Sequence, residues 1–108
     1  MADYGGSDSF TVQNALNIMD DNVSSIEDII TNGANSRFVP VPQTQENINK
    51  TIQIMVDNLE TMLTWNGTDS AGNDLPPNTQ PNVLGYSGDK SSYTDAIATG
   101  KQYITDNS

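Results

Sequence analysis

The sequence contains no cysteine and no histidine, and only four basic residues (Arg37, Lys50, Lys90 and Lys101) in 108. The first absence excludes disulfides and thiolate chemistry. The second removes the side chain most often used as a general base or a metal ligand. Scarce lysine and arginine remove the clustered cations that release counterions from nucleic acid or hold an anionic membrane surface, so neither partner is expected. The formal charge of −10 keeps such a chain soluble and draws it toward basic protein surfaces or divalent cations. Long apolar runs are missing too. None exceeds Ile54-Met55-Val56, so no segment is expected to span a bilayer. Residues 1–8 are polar and acidic, unlike a signal peptide, and are expected to form a flexible N-terminus of a cytoplasmic or assembly-bound chain.

What is abundant is short and polar: Asn, Asp, Ser and Thr make up 45 of the 108 residues. These side chains compete for backbone hydrogen bonds and favour caps, turns and solvated faces. The apolar residues, in contrast, are ordered. Val12, Leu16, Met19, Val23, Ile26 and Ile30 follow one another at steps of four and three, the seam of an amphipathic helix. The spacing predicts a first helix over about 10–31, capped by Ser9 and stopped at Asn32-Gly33. Ile48, Ile52, Met55, Leu59 and Met62 repeat the steps in a second helix over about 44–65, capped by Thr44 and closed by Asn66-Gly67. The fold class expected is mainly α, with these two helices as an αα-hairpin or bundle element over 9–66.

A displacement of 36 residues places Ile18-Met19-Asp20-Asp21-Asn22 on Ile54-Met55-Val56-Asp57-Asn58 and aligns the two seams. It also carries Ile18 and Ile29 onto Ile54 and Trp65, a smaller apolar patch roughly 100° from each seam. A helix with two patches needs two neighbours. Other copies of the chain, or a larger protein partner, are expected to supply them. Ile18, Ile29, Ile54 and Trp65 are therefore candidate contact residues.

Between the helices, 34–43 carries Pro40 and Pro42, which favour an extended path. Phe38 and Val41 on this connector either fold back onto the helices or lie along a partner, and both join the candidate contacts. Residues 67–90 show no periodicity and are expected to be a long irregular loop or arm. A short C-terminal helix over about 91–106, within 91–108, follows from Tyr93, Ile97, Gly100 and Ile104. Gly100 costs this helix about 1 kcal/mol relative to alanine, so it forms when docked.

Chemistry has little to work with. Asp20, Asp21, Glu27, Asp28, Asp57 and Glu60 fall on helix faces away from the seams, and no phosphate loop, nucleophile elbow or zinc-ligand spacing occurs. Neither catalysis nor a cofactor is expected. The nearest approach to a cation site is Asp69-Ser70-Ala71-Gly72-Asn73-Asp74, where Asp69, Asn73 and Asp74 offer hard oxygens that Ca²⁺ accepts, though not in EF-hand order.

Two resemblances bear on function. Residues 22–30 (Asn-Val-Ser-Ser-Ile-Glu-Asp-Ile-Ile) with the later Trp65-Asn66-Gly67 resemble the small secreted helical-hairpin proteins named for a Trp-x-Gly turn. That resemblance implies a long helix directly after Gly67. The composition, rich in Asn, Thr and Asp and poor in Lys and Arg, is similar to that of small bacteriophage virion proteins such as capsid decoration, head-to-tail or tail components. It implies a non-enzymatic structural part, located in a virion, that bundles through its seams and grips a larger subunit by its arm or loop.

Overall fold

The computed structural model describes residues 10–76 and 79–108. The cap expected at Ser9 and the flexible N-terminus expected over 1–8 lie outside the described residues. Three helices carry the fold: α1 (Val12–Asn32), α2 (Gln45–Leu63) and α3 (Ser91–Asp106), with a single 3₁₀ turn at Gly33–Asn35. Each helix packs against the other two, and no strand occurs among the described residues. The architecture is mainly α, as expected.

Local chemistry sets the helix ends. The Thr11 hydroxyl accepts from the Asn14 N–H at 3.2 Å, and the Thr44 hydroxyl accepts from Asn47 N–H at the same distance. Each satisfies one of the donors that a helix N-terminus leaves without an intrahelical partner. The first cap is thus Thr11, two residues after the serine expected. Gly33 ends α1 with φ of +56°, and its N–H reaches back to the Ile29 carbonyl, the stop foreseen at Asn32-Gly33. α2 stops at Leu63, two residues short of the expected Trp65, because Thr64 turns the chain and its hydroxyl donates to the Thr61 carbonyl at 2.6 Å. α3 opens with the Ser91 N–H on the Asp89 carboxylate at 2.8 Å.

The chain runs up, down and up. Phe10, before α1, meets Trp65, after α2, edge to face with ring centroids 6.1 Å apart, so α1 and α2 are antiparallel. Tyr93 donates to Asp20 near the start of α3, while Tyr103 shares a recess with Ile30 near its end, so α3 runs parallel to α1. α3 is also tied to α2 by Lys101 and Glu60 at 2.6 Å, by Gln45 to the Tyr103 hydroxyl, and by Asn49 to the Asn107 carbonyl.

Burial corrects the register of the two long helices. The buried residues of α2 are Ile48, Ile52, Val56, Leu59 and Met62, so Val56 enters the core and Met55 is only partly covered. A displacement of 33 residues, which carries Thr11 onto Thr44, places Ala15, Met19, Ile26 and Ile29 on Ile48, Ile52, Leu59 and Met62. It also places the half-buried Val23 on Val56. The displacement of 36 differs by one seam step. A pattern of threes and fours aligns with itself almost equally well after such a step, and only the packing distinguishes the two.

The third helix covers the seams from within the chain, through Tyr93, Ala96 and Gly100. A β-carbon at Gly100 would lie 2.7 Å from Val56 Cγ2 and 3.1 Å from Ile52 Cγ2, so only glycine lets α3 come this close to α2. The residue that weakens α3 in isolation is the one that seats it. Gly100→Ala is expected to lower stability by about 1–2 kcal/mol, overpacking outweighing the gain in helix propensity. Urea melts followed by circular dichroism check this, and unchanged or raised stability would contradict the close approach.

Candidate functional site

The expected contact residues separate into covered and open ones. Ile29 is fully buried, a correction to its expected place on a surface patch. The connector returns across this side of α1: the buried Ser36 hydroxyl donates to Asp28 at 2.7 Å, and Phe38 lines a recess with Asp21, Ser24 and Ser25. Val39 is buried, Phe38 is half-buried beneath the Arg37 guanidinium at 4.8 Å, and Gln43 holds the turn through the Ser36 and Val39 carbonyls. Of the connector's large apolar residues, Phe38, Val39 and Val41, only Val41 stays open, at 82% exposure.

Trp65 is half-buried against Phe10 and lies outside α2, so the helical angle that paired it with Ile54 does not apply. Ile18 and Ile54 remain exposed, at 44% and 60%, on the outer faces of separate helices. Single exposed apolar residues are ordinary and do not by themselves mark an interface.

The segment between α2 and α3 has no helix among its described residues, so the long helix implied after Gly67 is not formed there. Nor is the segment loose along its whole length. Val83 is fully buried, Leu84 N–H donates to the Trp65 carbonyl at 2.7 Å, and Lys90 Nζ holds the Val83 and Leu84 carbonyls at 3.2 and 3.0 Å. One buried valine and one lysine strap the second half of this segment to the bundle, leaving Leu84 exposed beside the anchor.

In the first half, Thr68 and Asp74 bridge across a tight turn. Asp69 Oδ1 accepts from the Ala71 and Asn73 N–H groups at 2.9 and 3.0 Å, while Asp69 N–H donates to the Asn73 carbonyl. The Asn73 N–H is the largest influence holding the Asp69 carboxyl below its ordinary value. The carboxylate thus organises the turn through its own backbone. Asn73 and Asp74 are exposed, and no group of three or more acidic residues gathers for a metal among the described residues. Asp69→Ala is expected to speed hydrogen exchange at the Ala71 and Asn73 amides, with global stability changed by less than about 0.5 kcal/mol. Exchange measured by NMR checks this. Ca²⁺ is expected to leave both amide shifts unmoved.

One opening was not expected from the sequence. Between α1 and α3 a recess of about 480 Å³ is lined by Ile30, Ala98, Thr99, Gln102, Tyr103 and Asp106. A second, of about 290 Å³, meets it at Thr99 and brings Val23, Ile26 and Glu27 against Asp95 and Ala96. The two recesses lie in succession along the two parallel helices and make up the α1–α3 groove. Its floor is apolar, its edges carry Glu27, Asp95 and Asp106, and no lysine or arginine lines it. The sequence did carry a signal: Ser92, Asp95, Thr99, Gln102 and Asp106 repeat the steps of three and four on one face of α3. That stripe is polar, and a search for apolar seams passes over it.

Tyr93 closes the N-terminal end of the α1–α3 contact. It is buried, and its hydroxyl donates to Asp20 at 2.8 Å. Burial first, and then the Asp20 carboxylate, push the phenol up to about 12. The raised value means that the fold favours the protonated, neutral phenol. This stabilisation is intact below pH 10 and is lost as pH rises through 12. Tyr93→Phe is expected to flatten the fall in stability between pH 10 and 12, measured by urea midpoints across that range.

No protein-family model, no curated protein and no solved structure matches this chain. No helix among the described residues is long and apolar enough to cross a membrane.

Proposed function

We propose that this chain is a non-enzymatic component of a protein assembly that seats a segment of a larger partner in the α1–α3 groove. The observation that carries the reading is the groove itself. Three helices close the apolar seams internally, yet Val23 and Ile30 stay half-buried beside the opening between α1 and α3. A bundle stabilised by its own core has no need of that opening, and helix-lined apolar grooves are a common seat for a partner helix. Self-bundling through the seams is no longer required, because α3 occupies that position. The connector and the later loop, fastened by Ser36, Val39, Val83 and Lys90, serve less well as gripping arms than their polar sequences suggest.

The particular assembly this reading favours is a virion, with the chain as a small accessory part in capsid decoration, at the head-to-tail junction or in the tail. Its support is the composition, rich in Asn, Thr and Asp and poor in Lys and Arg. Particles purified from the source on density gradients are expected to contain the chain in fixed ratio to larger structural proteins. Thr99→Trp, which fills the groove from an exposed position, is expected to lower that ratio. Recovery of the chain solely as a free 11.7 kDa monomer would overturn the reading.

A further inference from the structure

We infer that the occupant of the α1–α3 groove is a cationic amphipathic helix of a partner protein, lying lengthwise as the fourth helix of the bundle. The inference rests on the groove being a docking position and adds the chemistry of what docks. The groove runs from Ser92 to Asp106 on α3, about 21 Å or four helical turns, which is the reach of a helix and not of a single side chain. Its floor of Val23, Ile30 and Ala96 takes apolar side chains at steps of three and four. The carboxylates of Glu27, Asp95 and Asp106 stand along its edges, and Asp106 is held by Gln102 at 2.8 Å. An occupant with an apolar stripe flanked by Lys or Arg meets both features at once.

A second copy of this chain fits poorly. It brings a charge of −10, and its four cations are all engaged: Lys50 with Glu46, Lys101 with Glu60, Lys90 on two backbone carbonyls and Arg37 over Phe38. Two acidic grooves facing each other repel.

The test uses the full chain and two designed 20-residue helices with the same leucine stripe, one flanked by lysine and the other by glutamate. Binding is followed by fluorescence anisotropy and by amide shifts. The lysine helix is expected to bind one to one, with shifts at Val23, Ile30 and Thr99, and to weaken as salt is raised. Asp95→Lys with Asp106→Lys is expected to weaken it by at least about tenfold, and Thr99→Trp likewise. Asp57→Lys, on the outer face of α2, is expected to change it by less than about twofold. Circular dichroism of each variant confirms that the bundle is intact.

Equal weakening by Asp57→Lys would show diffuse charge attraction and overturn the inference. Equal binding of the glutamate helix, or no binding of either, would overturn it too, while the docking reading stands if Thr99→Trp still lowers the particle ratio. Self-association of the free chain that Thr99→Trp abolishes would overturn it in favour of a second copy. If Thr99→Trp leaves the particle ratio unchanged, the docking reading itself fails.

Discussion

The close approach of α3 to α2 at Gly100 is the constraint on which the rest of this structure depends. With no β-carbon at that position, the helix backbone settles against Ile52 and Val56, and Ile26 of α1 lies just beyond. Two long helices each present an apolar stripe wider than their mutual contact, and the third helix covers the remainder. A chain of 108 residues has little core to spare, so this one docking event turns a hairpin with exposed seams into a closed bundle. Between α1 and α3 the packing leaves two surface recesses that share Thr99.

The segments between helices follow a different logic. They are too polar to bury as a whole, and each is fastened at a few points. The connector is held by Ser36 on Asp28, by Val39 in the core and by Gln43 across its turn. The segment before α3 is held by Val83 in the core and by Lys90 over two carbonyls. In both, one apolar side chain supplies the burial and one polar side chain satisfies backbone groups that the irregular path leaves without partners. Polar sequence of this kind reads as a free arm until the anchor is known, and the anchors, Val39 and Val83, look like any other isolated valine.

Charge then separates the inside of the molecule from its outward role. None of the four cations lines the groove: two form ion pairs, one holds two carbonyls and one stacks on an aromatic ring. The carboxylates, far in excess of the cations, are exposed or half-buried among the described residues and make the surface predominantly acidic. Such a surface favours a basic partner and keeps copies of itself apart. The proposed role in an assembly joins this electrostatic character to the apolar opening between α1 and α3.

The sequence by itself determined the helices: their number, their ends to within two residues, the cap at Thr44, the stop at Gly33 and the docked character of α3. These are legible because capping, helix-stopping glycine and the steps of three and four are local effects within a turn or two of the chain. Tertiary structure alone decided the alignment of α1 with α2, the burial of Ile29 and Val56, the departure of Trp65 from its helix and the opening between α1 and α3. A seam of threes and fours does not fix which neighbour covers it, or at what register. Burial at Ile29 or exposure at Ile54 depends on which residues far away in sequence come to lie against each helix. The groove at Thr99 is the clearest case, since its walls come from α1 and α3, which are distant in sequence and meet only in the folded bundle.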